Sequence, residues 1–137
     1  MATPPVEVLR IHIPASPAHL RDARAFIGAV ARHVRCPDET VEDLRLLASE
    51  ACAQAFDEGI APAGIDLRAG LESAALVVEI EPAARFADTA IGDPLDASSG
   101  ERRWALLTAL FPDLERAEVD GSTVLRVRVP GEGPASA

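Results

Sequence analysis

Histidine and cysteine are sparse in this 137-residue chain. Three histidines, His12, His19 and His33, are scattered and match no metal-ligand spacing. The two cysteines, Cys36 and Cys52, form neither a CxxC metal site nor a disulfide framework. If both lay in one helical run they would be ~24 Å apart. A disulfide needs Cα atoms within roughly 7 Å. Only an intermolecular bridge stays open, through Cys36, which is expected to be the more exposed. Glu50 and Gln54, four residues apart, would stand on one face of a helix. The chain has no asparagine at all, nor lysine or tyrosine, and all 13 of its cationic residues are arginine. GC-rich coding produces such gaps.

The elements that must position these residues follow from periodicity. Residues 6–13 alternate, with Leu9, Ile11 and Ile13 on one face and Arg10 and His12 on the other, the pattern of a strand. Ser16 and Pro17 suit a helix start. From Pro17 to Arg35, Leu20, Ala23, Ile27, Val30 and Val34 recur at spacings of three and four, and Arg21, Arg24, Arg32 and Arg35 take the other face. A second helix is expected from Asp38 to Asp57. Its acidic first turns favour the helix dipole, its inner stripe is Val41, Leu44, Leu47, Ala48, Ala51 and Ala55, and Gly59 stops it. Strands follow at Ile65–Leu71 and Ala75–Glu81, joined by a turn at Glu72-Ser73. Residues 86–100 have the composition of a mobile loop. A third helix spans Glu101 to Leu110, and strands at 114–119 and 122–129 pair across Asp120-Gly121.

The order β-α-α-β-β-loop-α-β-β predicts an α+β fold: a two-layer sandwich with a mostly antiparallel sheet and three helices on one face. One domain over residues 1–130 and a disordered tail from Gly131 to Ala137 are expected. No run approaches the roughly 20 apolar residues of a membrane span, and the first residues lack a secretory pattern. The expected setting is the cytoplasm. A formal net charge of -9 argues against a nucleic-acid partner and suits a basic protein.

The run Leu44-Arg45-Leu46-Leu47-Ala48-Ser49-Glu50-Ala51-Cys52-Ala53-Gln54-Ala55, in this element order, resembles the RsbW-like anti-sigma factors, relatives of serine kinases with the GHKL (Bergerat) ATP-binding fold. DARAFI in the first helix and WALLTALFPD followed by GSTVLRVRVP near the end support the resemblance, which spans residues 6 to 130. It implies three nucleotide boxes, and this chain departs from each. In the first, Glu50 matches the general base, whereas Gln54 replaces the Mg²⁺-binding asparagine. In the second, Glu81 replaces the aspartate that recognises adenine, and Ala83 and Arg85 replace glycines that let backbone approach the nucleotide. Arg85 would project into space that glycine leaves empty. In the third, Glu101 and Arg103 replace glycines around the phosphates, and Trp104 replaces a leucine and is expected to be core, plugging part of the nucleotide cavity. Arg102 and Arg103 could still attract an anion.

The resemblance therefore implies a degenerate member that is not expected to act as an enzyme and needs no cofactor or metal, with Glu50 a relic of the base. It would sequester an alternative sigma factor through Leu20, Arg21 and Arg24 of the first helix. A STAS-domain anti-anti-sigma antagonist would release it, and a homodimer is consistent with the family. Two alternatives stay open. One is an active serine-protein kinase that uses ATP and Mg²⁺ on the STAS partner. The other is a scaffold or decoy that binds the STAS protein alone.

Overall fold

A computed structural model describes residues 8–86 and 99–131 of the chain. The elements run β1 (Val8–Ile13), a 3-10 turn (Pro17–His19), α1 (Leu20–His33), α2 (Asp38–Glu58), β2 (Ile65–Glu72), β3 (Ala75–Glu81), α3 (Ser99–Leu110), β4 (Glu115–Val119) and β5 (Ser122–Pro130). The strands form one antiparallel sheet in the order β1-β2-β3-β5-β4. Helices on one side of this sheet complete the expected α+β sandwich.

Both helical stripes read from the sequence are buried, except Leu20, which is half-buried. Ala23, Ile27, Val30 and Val34 of the α1 region meet Val41, Leu44, Leu47, Ala48, Ala51 and Ala55 of α2. A Cβ on Gly28 would lie 3.2 Å from Cδ of Arg45, which crosses α1 at that point. Ser16 caps the 3-10 turn through the backbone N–H of Ala18 at 3.3 Å, so the regular helix begins at Leu20, later than the sequence pattern suggests. At its other end α2 stops at Gly59, in the left-handed region with φ 67°.

Alternation along the strands separates an apolar inner face, including Ile13, Leu67, Val78, Ile80, Leu125 and Val127, from a charged outer face. On the outer face Arg68 pairs with Glu79 and Glu81, and Arg126 with Glu79. His12, exposed as expected, sits opposite Asp66 with Nδ1 at 2.8 Å from the carboxylate. That hydrogen bond raises the imidazole pKa above its ordinary value.

One of the two hairpin turns departs from expectation. Glu72 pairs with Ala75 across β2 and β3, so the turn is Ser73-Ala74, not Glu72-Ser73. Both residues have positive φ, 50° and 65°, as a two-residue hairpin matching strand twist requires. Neither is glycine, so the turn is strained. Asp120-Gly121 forms the expected hairpin turn, with φ of 50° and 80°. α3 begins at Ser99, two residues before the expected start. Phe86 and Gly100, placed in the expected mobile loop, are both buried. Gly131, placed in the expected disordered tail, donates its N–H to the Ala74 carbonyl. The rest of that loop and of that tail, residues 87–98 and 132–137, lies outside the described residues.

Candidate functional site at the junction of α2 and α3

The C-terminal half of α2 is alanine-rich on its buried side, where Ala48, Ala51, Cys52 and Ala55 pack into the core. That fixes the helix's rotation, and Glu50, Gln54 and Asp57, at i, i+4 and i+7, come out along one line. The start of α3 lies against this line. A Cβ on Gly100 would fall 2.8 Å from Nε2 of Gln54, so only glycine permits this approach with the amide where it stands.

One turn further along α3, Arg103 reaches back across the line. Its Nε donates to Oε2 of Glu50 at 2.9 Å. Its Nη1 donates to Oε1 of Gln54 at 2.7 Å and to Oδ2 of Asp57 at 2.8 Å. The hydrogen bond to Asp57 and the charges of Glu50 and Asp57 raise the guanidinium pKa. Gln54 is only 7% exposed, and both ends of its amide are used. The oxygen accepts from Arg103, and Nε2 donates to Oε2 of Glu58 at 2.9 Å. Glu58 in turn accepts the backbone N–H of Arg85 at 2.8 Å and of Phe86 at 2.9 Å. The line on α2 therefore ties down both the chain leaving β3 and the chain entering α3.

Beyond Glu58, Phe86 is fully buried at φ 54° and packs on Trp104, with ring centroids 5.1 Å apart and planes at 44°. The Arg116 guanidinium lies 4.8 Å from the centroid of the Trp104 ring and also donates to the Arg85 carbonyl. A cavity of about 420 Å³ opens beside Trp104, lined by Ala84, Arg85, Leu114, Arg116 and Thr123 among others.

The sequence-derived site residues divide accordingly. Glu50, Gln54 and Arg103 come together. Glu81 does not join them, because alternation in β3 sends its carboxylate to the outer face, where it accepts from Arg68 at 2.9 Å. Ala83 is buried, and its N–H donates to the Thr123 carbonyl at 2.8 Å. Arg85 is exposed and lines the cavity beside Trp104; the buried side chain next to it is Phe86. Arg103 is engaged by three acceptors, so it is not the free anion attractor that its position near Arg102 suggested. Trp104 is half-buried at the edge of the core, not inside it. Asp57, Glu58 and Phe86 were missed. Asp57 had a readable signal, since it is one further turn along the face of Glu50 and Gln54.

On α1, Leu20 is half-buried against the core, Arg24 is half-buried and Arg21 is exposed. Arg21, Arg24 and Arg32 have no hydrogen-bond or ion-pair partner among the described residues. The cysteines offer no reactive group. Cys36 is buried rather than exposed, which undercuts an intermolecular bridge, and burial raises its thiol pKa. Cys52 is fully buried, and its thiol is pushed up to about 12. Among the described residues, no helix is long and apolar enough to cross a membrane.

A family model of the histidine kinase-like ATPase domain matches residues 13–129, from the end of β1 into the last residues of β5. No curated protein matches the chain. The matched region takes in every helix among the described residues and the whole α2–α3 junction, so the chain belongs to the histidine kinase-like ATPase domain family.

Proposed function

We propose that this chain is an anti-sigma factor of the RsbW-like kind that works by protein–protein binding, without ATP and without kinase activity. The observation that carries the reading is the position of Arg103. Its guanidinium holds the carboxylate of Glu50 and the amide oxygen of Gln54, the two groups that a general base and a metal ligand would have to offer. A general base must have its carboxylate free to meet the proton it takes, and Oε2 of Glu50 is occupied by the guanidinium. A Mg²⁺ ion could reach the Gln54 oxygen only by displacing a cation already there. Hydrogen bonds to charged groups contribute about 1.5–3 kcal/mol each when sheltered, and the two to Glu50 and Gln54 are the sheltered ones. The contact to Asp57, a residue 64% exposed, counts for little.

The remaining boxes support the same reading. Glu81 is turned away and paired with Arg68. Phe86, next to Arg85 of the second box, packs on Trp104 of the third. The activity left to the chain is recognition. The α1 face, with Leu20, Arg21 and Arg24, offers unpaired cations on a rigid helix to a sigma factor and, in competition, to a STAS-domain antagonist.

A pull-down of the chain from a lysate of its source cells, repeated with Arg24→Ala, tests the reading. A sigma factor captured by the parent chain and lost with Arg24→Ala supports it. Transfer of labelled phosphate to a STAS-domain serine would replace it with the kinase reading. Capture of a STAS protein alone would replace it with the decoy reading.

A further inference from the structure

A second groove lies away from both the α2–α3 junction and the arginines of α1. It runs between the first turns of α2, the end of α3 and β5, and has a volume of about 230 Å³, far above the ~10–15 Å³ that one water needs. Phe111, Val127 and Val129 are among its lining, and all three are buried apolar residues. Asp43 and Asp113 also line it. Neither carboxylate has a hydrogen-bond or ion-pair partner among the described residues. The single cation in the lining, Arg128, is committed elsewhere. Its Nη1 donates to Oε1 of Glu72 at 2.9 Å and its Nη2 to the Glu72 carbonyl at 3.2 Å. Asp38, Glu39 and Glu42 add negative charge on the same turns of α2, and Glu42 is only loosely offset by Arg45 at 3.7 Å.

This combination selects its occupant. An apolar ligand would desolvate two carboxylates without pairing them, which is costly. An anion would be repelled. A side chain with an aliphatic stem and a cationic head satisfies both parts at once, the stem on Phe111, Val127 and Val129 and the head between Asp43 and Asp113. We propose that this groove docks an arginine or lysine side chain from a basic segment of a protein partner. The proposal concerns a surface of opposite sign to the α1 face and does not depend on the partner being a sigma factor.

The test is an amide-resolved NMR titration of the full chain with a capped Ala-Arg-Ala-Arg-Ala peptide, with the glutamate analogue as control. Saturable shifts are expected at Asp43, Leu110, Val127 and Val129 with the arginine peptide alone. The double variant Asp43→Asn/Asp113→Asn should weaken binding by about tenfold or more, that is, by about 1.4 kcal/mol or more. Its undisturbed spectrum elsewhere would show that it is folded. The variant Asp38→Asn/Glu39→Gln removes the same charge outside the groove and should weaken binding less than about twofold. Equal weakening by both variants would mean diffuse attraction to an acidic surface and would overturn the proposal, as would the absence of saturable shifts. Shifts of the same amides on raising protein concentration alone, with light scattering reporting a dimer, would give the groove to a second copy and overturn it too.

Discussion

Arginine behaves in opposite ways in two regions of this small domain. At the α2–α3 junction, Arg103 is held by Glu50, Gln54 and Asp57, and nearby Glu58 is saturated by Gln54 and two backbone N–H groups. On α1, Arg21, Arg24 and Arg32 touch no acceptor among the described residues. A junction whose polar groups answer one another has little left to offer a ligand, and the desolvation of those groups is already compensated. A row of unpaired cations on a chain with net charge -9 gains from a partner and steers it on approach. On the proposed reading the family fold is kept, the α2–α3 junction is closed, and the α1 face is what remains to meet a partner.

Breaking the closed junction should have the largest effect on stability. Arg103→Glu places a carboxylate among Glu50, Asp57 and the Gln54 oxygen, and is expected to cost about 2–4 kcal/mol, a fall in Tm on the order of 10 °C in thermal unfolding followed by circular dichroism. Gly100→Ala pushes a methyl group against an amide pinned by Arg103 and Glu58. Overpacking of this kind costs about 1–3 kcal/mol, measurable as a lower denaturation midpoint with unchanged m-value. A null result would mean that the amide can shift and the junction is looser than its hydrogen bonds indicate.

The open face should respond the other way. Arg21→Ala and Arg24→Ala should leave stability within about 0.5 kcal/mol but weaken partner binding by about tenfold or more each, as read by surface plasmon resonance against the captured partner. The smallest effect lies outside both regions. The His12 pKa is raised in the folded chain by its hydrogen bond to Asp66, so the stabilisation is fully present below the unfolded imidazole value, about 6.5. It is lost as pH rises through the higher folded value. Because both side chains are well exposed, the change should be slight, and His12→Gln should remove it from urea titrations between pH 6 and 8.

Much of this architecture was legible in the sequence, because periodicity is a local signal. The α1 and α2 stripes, the β3 span Ala75–Glu81 and the Asp120-Gly121 turn all follow from neighbours a few residues apart. Alternation along β3 even carried the message that Glu81, out of phase with Leu76, Val78 and Ile80, faces away from the helices. The motif also located Glu50 and Gln54. What closes them was not legible, since Arg103 is 46 to 53 residues from the groups it binds. No local pattern reports a contact made only when α3 returns to α2. The burial of Phe86 at positive φ and of Cys36 beneath the end of β5, where its thiol meets the Pro130 carbonyl at 3.9 Å, is non-local in the same sense.

On the proposed reading, Arg103 occupies the Glu50 and Gln54 groups that a base and a metal ligand would offer. Isothermal titration of the purified chain with ATP and Mg²⁺ tests it directly. The account predicts no saturable heat up to millimolar nucleotide. Binding of Mg-ATP with a micromolar Kd would contradict it.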